Sequence, residues 1–356
     1  MELRQAKQGE EKQVANLAVE VFKPNMKEQF IRLFHVDNVD HMFVGVDQGK
    51  VVAALNYYEA DVVSSIGLLK TGSIGAVCTQ KEYQGQGIST HLLSMAEKQM
   101  IKEHVDFCII SGRRGLYQRF GARDVGAIDK YQFIPDVINE HGFDIKPYQN
   151  DVETLYSIYM TERIYYVRSK DEFRDLLIGQ TYPDSYQTYP IYLVYAEGKA
   201  QAYIIAIDHH EKKELGIKEF AGNRQWIAQA LPSIVKMHGK ESIELMTYGQ
   251  DELKEYLGVK PVRMSQQATL KIMDKEGFFQ KLNTWTIKKD LSIAFNREND
   301  LNQVKVLNET YLLSDEALLF LVFSGTYTED MKDETRYLLS KLCPIELPWS
   351  HNLNYQ

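Results

Sequence analysis

A short glycine-rich turn between a strand pattern and a helix pattern constrains the fold of this chain most. Residues 73–79 have the apolar character of a β-strand, residues 84–87 that of a turn, and residues 89–104 the periodicity of an amphipathic helix. The first turn of such a helix presents free backbone N–H groups, and glycines let an anion approach them closely. The junction therefore predicts an α/β domain that binds a phosphate or pyrophosphate group.

Three phosphate-binding motifs compete for this turn, and two of them lack a required residue. The dinucleotide fingerprint needs a third glycine where Thr90 stands, and the nucleotide P-loop needs a Gly-Lys-Ser/Thr sequence that is absent here. The remaining pattern is Gln/Arg-x-x-Gly-x-small, present as Gln84-Gly85-Gln86-Gly87-Ile88-Ser89. This segment resembles the acyl-CoA pyrophosphate loop of the GNAT acetyltransferases. Arginine is more frequent there at the position of Gln84, so one phosphate partner is missing.

A second motif follows at the distance that this resemblance requires. A buried type of strand, residues 105–111, precedes Gly112, and Leu116-Tyr117-x-x-Phe120-Gly121 comes next. In GNAT enzymes the tyrosine of this motif lies beside the thioester sulfur. Most of the 22 tyrosines in the chain are expected to serve packing. The order of loop, helix, strand and Tyr117 favours a catalytic role for this one.

The chain is long enough for two to three domains, and its patterns divide it into three. A helix pattern at 8–22 and a strand pair at 41–46 and 51–58 open the first. A second strand pair at 191–196 and 200–208, a helix at 225–237 and a strand at 242–247 repeat that order without the glycine loop. The predicted ranges are 1–142, 143–270 and 271–356. The third is so small that its core is expected to pack against the neighbouring domains.

These features together resemble the Eis family, named for enhanced intracellular survival, over essentially the whole chain. The resemblance implies an α+β or α/β fold of tandem GNAT domains with mixed central sheets. The second domain would be degenerate and lack the CoA loop, and a small α+β sterol-carrier-like domain would follow. The family's homohexamers imply that this chain forms a homo-oligomer.

The resemblance also implies a reaction, the transfer of an acetyl group from acetyl-CoA to a primary amine by direct attack in a ternary complex. A backbone N–H of the central strand would polarise the thioester, and Tyr117 would protonate the departing thiolate. The residues expected to contact acetyl-CoA are Val77, Cys78, Thr79, Gly85, Gln86, Gly87, Ile88, Ser89, Thr90, Gly112 and Arg113.

A base must take the proton of the ammonium group, and the family assigns this role to the carboxylate at the chain end. In this sequence that group belongs to Gln356. The alternative is a frayed terminus, and then His351 or Glu346 on the same tail would be candidates. A covalent route through Cys78 is less favoured, because no histidine lies nearby in sequence to activate the thiol.

Composition narrows the partners of the protein. Lys and Arg number 41 against 49 Asp and Glu, a net charge of −8, which disfavours nucleic acid and is compatible with a cationic acceptor such as an aminoglycoside-like polyamine. Three cysteines, no 20-residue apolar run and no apolar signal core predict a cytoplasmic protein without a membrane partner. The sequence Asp208-His209-His210-Glu211 is expected to be a solvated turn, so no metal is predicted.

Two other functions stay open at this point. One is an aminoacyl-tRNA-dependent peptidoglycan transferase, which also pairs two GNAT-like domains but has a long charged helical hairpin that is missing here. The other is a non-catalytic protein that binds acyl-CoA or a lipid.

Overall fold

The computed structural model of the protein describes residues 1–135 and 142–356, in three consecutive sections. The first contains β1 (Glu2–Gln5), α1 (Glu11–Val21), α2 (Met26–Gln29), β2 (Met42–Asp47), β3 (Lys50–Ser64), β4 (Gly67–Thr79), α3 (Ile88–Lys102), β5 (Phe107–Ile110), α4 (Gly115–Arg119) and β6 (Arg123–Asp124). The second contains β7 (Ile128–Phe133), β8 (Phe143–Pro147), α5 (Val152–Tyr159), β9 (Tyr165–Tyr166), α6 (Lys170–Gln180), β10 (Gln187–Thr188), β11 (Ile191–Ala196), β12 (Lys199–His209), β13 (Glu214–Gly222), α7 (Arg224–Met237), β14 (Ser242–Tyr248), α8 (Lys254–Leu257) and β15 (Val262–Met264). The third contains β16 (Thr269–Ile272), α9 (Lys275–Lys288), β17 (Ile293–Glu298), β18 (Leu301–Val306), β19 (Glu309–Leu313), α10 (Asp315–Leu319), a π-helical turn (Phe320–Ser324) and α11 (Asp333–Leu339).

The first sheet has the strand order β1-β2-β3-β4-β5-β16-β6, with β9 paired to β3. Only β4 and β5 run parallel, and α3 makes the crossover between them. Alternate residues of β2 face opposite sides, so Met42 packs with α1 and Phe43 packs with α3. α1 and α3 each bury an apolar face against this sheet, although Val21 at the end of α1 is exposed.

The second sheet repeats this plan, with the order β15-β7-β14-β13-β12-β11-β8 and β10 paired to β12. Its parallel pair is β13 with β14, and α7 makes the crossover. Both sheets are therefore of mixed orientation, as the sequence predicts.

Strand pairing crosses the predicted domain boundaries at three points. β9 lies within the range 143–270 but pairs with β3 in the first sheet. β7 lies within the range 1–142 but pairs with β14 in the second sheet. β16 begins before residue 271 but pairs with β5 in the first sheet. The two sheets thus each take a strand from beyond the expected boundary, and the ranges 1–142, 143–270 and 271–356 stay a prediction about folding units.

The third section adds a small antiparallel sheet, β17-β18-β19, covered by α9 and α10. Its apolar side chains join those of the first sheet in one core, in which the rings of Phe323 and Phe107 lie 5.3 Å apart. α9 begins at Lys275, because Asp274 caps its start by accepting a hydrogen bond from the Gly277 N–H.

No helix in the described ranges combines the length and apolar character needed to cross a membrane.

Candidate functional site

The central strand β4 bends where it separates from β5. The two strands pair only along Thr71 to Ile74 of β4. Just beyond Ile74 a β-bulge shifts the register against β3, and Ala76 there has a φ of 49°. The edge of β4 that faces β5 therefore loses its sheet partner, which leaves backbone groups free to bind a ligand in the gap.

The glycine loop closes one end of this gap. Gly85 and Gly87 have φ values of 79° and 75°, which favour glycine, and a β-carbon on either would meet nothing within 4 Å. Gly87 is the N-cap of α3, so the N–H groups of Ile88 and Ser89 have no acceptor within the helix. The first turn carries no acidic residue. The loop is open, electropositive and unobstructed, which suits a pyrophosphate.

Side-chain hydrogen bonds hold this loop against β4. The Ser89 and Thr79 hydroxyl oxygens are 3.2 Å apart, and the Gln84 amide donates to the Thr79 carbonyl at 3.1 Å. The Gln86 amide turns toward the Glu82 carbonyl, at 3.4 Å. Gln84 thus supports the loop from within, in the position where GNAT enzymes more often have an arginine.

The loop lines a cleft of about 450 Å³, named here the loop cleft. It includes eight of the predicted contact residues together with two arginines, Arg114 and Arg119, that sequence reasoning did not single out. Neither arginine has an ion pair or hydrogen-bonding acceptor among the described residues, so both are available to an anionic ligand. Its full lining is Val21, Phe22, Val77, Cys78, Thr79, Tyr83, Gln84, Gly85, Gly87, Ile88, Ser89, Thr90, Arg114, Leu116 and Arg119.

A second cleft of about 450 Å³, named here the tail cleft, adjoins the first and shares four of its residues. Both Tyr117 and Gln356 line it, although they are 239 positions apart in the sequence. Its full lining is Val21, Phe22, Lys23, Met26, Phe30, Leu33, Ile74, Gly75, Ala76, Val77, Ser111, Gly112, Arg114, Tyr117, Tyr355 and Gln356.

Tyr117 lies on α4, where the two clefts meet. Its ring packs so closely on Gly112 that a β-carbon there would be 2.6 Å from the Tyr117 Cε2 atom. The side chain is buried, and the loss of hydration raises the pKa of the phenol while the charge of Arg114 opposes the rise. The phenol makes no hydrogen bond to another described residue. A protonated, unpartnered hydroxyl at this position is available as a proton donor.

The tail is docked along its length rather than frayed. The buried Arg168–Glu219 ion pair anchors it, since the Arg168 guanidinium donates to the Asn354 side chain at 2.6 Å. Glu219 accepts the Leu353 N–H at 3.2 Å. The second section, through Arg168 and Glu219, therefore holds the tail in place.

The last two residues of the sequence reach the bulge of β4. The Gln180 amide donates to the Tyr355 carbonyl at 2.8 Å, and the Tyr355 ring stacks on His351 with 4.7 Å between centroids. Gln356 is only 4% exposed, and a β-carbon on Gly75 would lie 2.8 Å from its carboxyl carbon. Because glycine has no β-carbon, position 75 leaves room for the end of the tail.

The two alternative bases on the tail lie outside both clefts. His351 stacks between Trp349 and Tyr355, and desolvation, with the charges of Lys218 and Arg113, lowers its pKa to about 4. Glu346 accepts the Gln250 N–H at 2.7 Å in the second section. Neither side chain lines the tail cleft, whereas Gln356 lines it together with Tyr117.

Cys78 lines the loop cleft, but its thiol is poorly suited to attack. It is 3% exposed, and burial raises its pKa to about 12. A thiol that stays protonated at neutral pH is a weak nucleophile, which supports the preference for direct transfer.

One group of side chains in the described ranges brings potential metal ligands together. His41, Glu59 and Glu103 bring ligand atoms within 4.8 Å of one another. Lys70 pairs with Glu59 at 2.9 Å, and the Tyr57 hydroxyl donates to Glu103 at 2.5 Å, so these carboxylates already have partners.

The expected solvated turn at 208–211 begins only at His210, because Asp208 and His209 are the last residues of β12 and are partly buried. Asp208 pairs with His238 and with Lys240, at 2.7 Å each. Its carboxylate therefore serves the packing of α7 against β12.

Arg113 lies apart from most of the residues expected to contact acetyl-CoA, and its contact stays a prediction. Its guanidinium pairs with Asp124 at 3.0 Å and lines neither the loop cleft nor the tail cleft. The backbone is extended at Arg114, so neighbouring side chains point to opposite sides and Arg114 faces the clefts instead. Gly112 lines the tail cleft.

Sequence comparison identifies part of the chain. Residues 2–124 match the family model described as acetyltransferase (GNAT) domain, a range that includes the glycine loop and Tyr117. A search of curated proteins finds no match.

Solved structures share the fold across nearly the whole chain. A protein of Enterococcus faecalis V583, described as a conserved protein of unknown function and probable N-acyltransferase, gives a TM-score of 0.67 at 14% identity, over 96% of this chain and 95% of that one. A GCN5-related N-acetyltransferase from Kribbella flavida gives a TM-score of 0.64 at 12% identity, over 100% of this chain and 98% of that one. Eis1 from Mycobacterium abscessus gives a TM-score of 0.62 at 11% identity, over 92% of this chain and 90% of that one.

At these identities the likeness concerns the fold alone. The prediction of GNAT-like α/β folding with mixed sheets is confirmed. The sterol-carrier likeness of residues 271–356 stays a prediction.

Proposed function

We propose that this protein transfers the acetyl group of acetyl-CoA to a primary amine by direct attack in a ternary complex. The observation that carries the proposal is that the loop cleft adjoins the tail cleft, and that Tyr117 and Gln356 both line the tail cleft. The GNAT match over residues 2–124 supports an acyl-CoA donor.

The loop cleft suits the donor. Space in front of Gly85 and Gly87 and the free N–H groups of the first turn of α3 fit a pyrophosphate, and Arg114 and Arg119 supply positive charge. The thioester would then lie along the unpaired edge of β4 near Val77. A backbone N–H on this edge would stabilise the negative charge that develops on the carbonyl oxygen during attack.

Tyr117 is proposed as the general acid. Its raised pKa keeps the phenol protonated at neutral pH, so the hydroxyl has a proton to give to the leaving thiolate. Gly112 fixes the ring by allowing its close contact. The tyrosine thus needs no neighbouring base to perform this step.

The α-carboxylate of Gln356 is proposed as the general base. The tail cleft gives an acceptor amine access to this group, and burial of the tail among Arg168, Glu219 and Gln180 holds it in place. The carboxylate would accept a proton from the ammonium group, directly or through one water, before or during attack.

A thiol-release assay tests the proposal. The protein is incubated with acetyl-CoA and a panel of primary amines, free CoA is titrated, and the N-acetyl product is identified by mass spectrometry. We expect equimolar thiol and product. Acetyl-CoA binding without product from any amine would favour the non-catalytic acyl-CoA-binding alternative.

A further inference from the structure

The charged side chains that line the tail cleft are cationic, and its negative group is the α-carboxylate of Gln356. Two cationic side chains, Lys23 and Arg114, line it, and none of its described lining residues is an aspartate or glutamate. Lys23 is exposed and has no ion pair among the described residues. It lines the tail cleft, which is proposed to admit the acceptor amine, but not the loop cleft.

A third cation, Lys218, lies outside the tail cleft and lines a separate cleft with Trp349 and Asn352 of the tail. Lys218 on β13 is only 7% exposed and makes neither an ion pair nor a hydrogen bond to the residues described here, although its ammonium lies 5.4 Å from the centroid of the Tyr189 ring. Burial lowers its pKa to about 8, and repulsion from Lys23 adds to that effect while Glu219 opposes it. The group is thus mostly protonated at pH 7, and it is near enough to Lys23 for their charges to interact.

The nearest acidic side chain on this strand is already neutralised. Glu219 forms a two-pronged ion pair with Arg168, at 2.8 Å and 2.9 Å, and also accepts the Tyr203 hydroxyl. Its charge therefore offers little to a ligand. The α-carboxylate of Gln356 is left as the negative group for a single ammonium, with cations beyond it.

A cleft with this charge pattern discriminates between amines. Each extra ammonium on the acceptor would be repelled by Lys23 and its neighbours, whereas an anionic group would be attracted. The net charge of −8 suggested a polycation, but that charge belongs to the whole chain, while the charged side chains that line the two clefts are cationic.

We propose that the acceptor is an amine that also carries an oxyanion, either a carboxylate or a phosphate, which Lys23 recognises at the tail cleft while the nearby charge of Lys218 adds to the attraction. This inference rests on the proposed function, since it names the substrate class of that same site. It replaces the aminoglycoside-like or polyamine acceptor with a zwitterionic one.

The test uses acceptors that differ only at the end remote from the reacting amine. These are 5-aminopentanoate, 5-aminopentan-1-ol and 1,5-diaminopentane, with 4-aminobutyl phosphate as the second oxyanion. We expect kcat/KM for the better oxyanion to exceed that of the alcohol by about 10-fold, and the diamine to be slowest. Comparing carboxylate with phosphate identifies the anion.

Charge reversal of Lys23 assigns the effect to this cleft. Lys23→Glu should reduce the preference for the oxyanion over the diamine by about 10-fold or more, with little change in acetyl-CoA affinity. Lys12→Glu is the matched control, because Lys12 is also an exposed lysine, but on the far end of α1 and outside both clefts. It should leave the preference unchanged.

The outcomes separate the two proposals. Equal rates for all acceptors, faster acetylation of the diamine, or the same shift in both lysine variants would overturn the oxyanion assignment and leave the proposed transferase standing. The absence of product from every acceptor would overturn the transferase proposal itself, and this inference with it.

Discussion

The carboxyl carbon of Gln356 packs against Gly75 so closely that a β-carbon on the glycine would lie 2.8 Å away. Gly75 directly precedes the bulge of β4, at the point where this strand leaves β5. The relationship ties the end of the tail to the strand that would hold the thioester. It also brings Gln356 into the same cleft as Tyr117.

The glycine loop gives the first prediction. Gly87→Glu should abolish detectable binding of acetyl-CoA, a loss of about 100-fold or more, because a strained side chain and a negative charge would meet the pyrophosphate. Gly49→Glu is a matched control: Gly49 has a φ of 78° and open space around it, but it lies in the turn between β2 and β3. Isothermal titration calorimetry should show one site per chain in the control. A second CoA site, or unchanged affinity in Gly87→Glu, would show that the loop is misassigned.

The second prediction separates binding from chemistry at Tyr117. Tyr117→Phe should lower kcat by about 100-fold and leave acetyl-CoA affinity intact, because the ring and its contact with Gly112 survive while the proton donor is lost. Tyr83→Phe is the control, since Tyr83 also lines the loop cleft but donates its hydroxyl to Asp47 at 2.8 Å. Full activity of Tyr117→Phe in steady-state thiol release would reduce this tyrosine to a packing role.

The third prediction concerns the anchor of the tail. Arg168→Met should lower the free energy of unfolding by about 3–5 kcal/mol, because Glu219 would keep a buried charge without its partner. Turnover should fall with it, as Asn354 loses the donor that positions the tail. Lys213→Met breaks the exposed Lys213–Glu241 pair and should change stability by less than about 1 kcal/mol. Urea unfolding measures both, and equal stability of the two variants would contradict the anchoring role.

The fourth prediction follows from His351, whose pKa burial lowers from 6.5 to about 4. Between these values the unfolded chain binds a proton that the folded protein does not, so stability is lost as pH falls below 6.5. The loss from this group should reach about 3 kcal/mol at pH 4. His351→Phe keeps an aromatic ring between Trp349 and Tyr355 and should lose less stability over this pH range. If urea unfolding at pH 7.5 and pH 4 gave equal losses for both proteins, the histidine would not be held neutral by the fold.

Local features of the site could be predicted from the sequence. Gly85 and Gly87 were identifiable because a turn with positive φ must precede a helix that binds an anion, and Tyr117 because of its fixed distance from that turn. Arg114 could not be identified in this way. Only the backbone angles between β5 and α4 show that its side chain and that of Arg113 point to opposite sides.

Long-range features could not be predicted in the same way. The exchange of β7 and β16 between the sheets involves partners far apart in the chain. The anchor of the tail joins Arg168 and Asn354 across 186 positions, and nothing in either local sequence marks the contact. Docking of the tail was therefore an open alternative until the structure brought these residues together.

The most direct test of the account changes the α-carboxylate of Gln356 and nothing else. Cleavage of an intein fusion with ammonia yields the protein with a C-terminal carboxamide, and hydrolysis of the same fusion yields the matched carboxylate, with intact mass confirming each product. The carboxamide is nearly isosteric but neither charged nor basic. We predict that kcat for acetyl transfer, with the best acceptor, falls by about 100-fold or more, while acetyl-CoA affinity stays within about twofold. Equal kcat for the two proteins would contradict the account, because the base would then have to be another group.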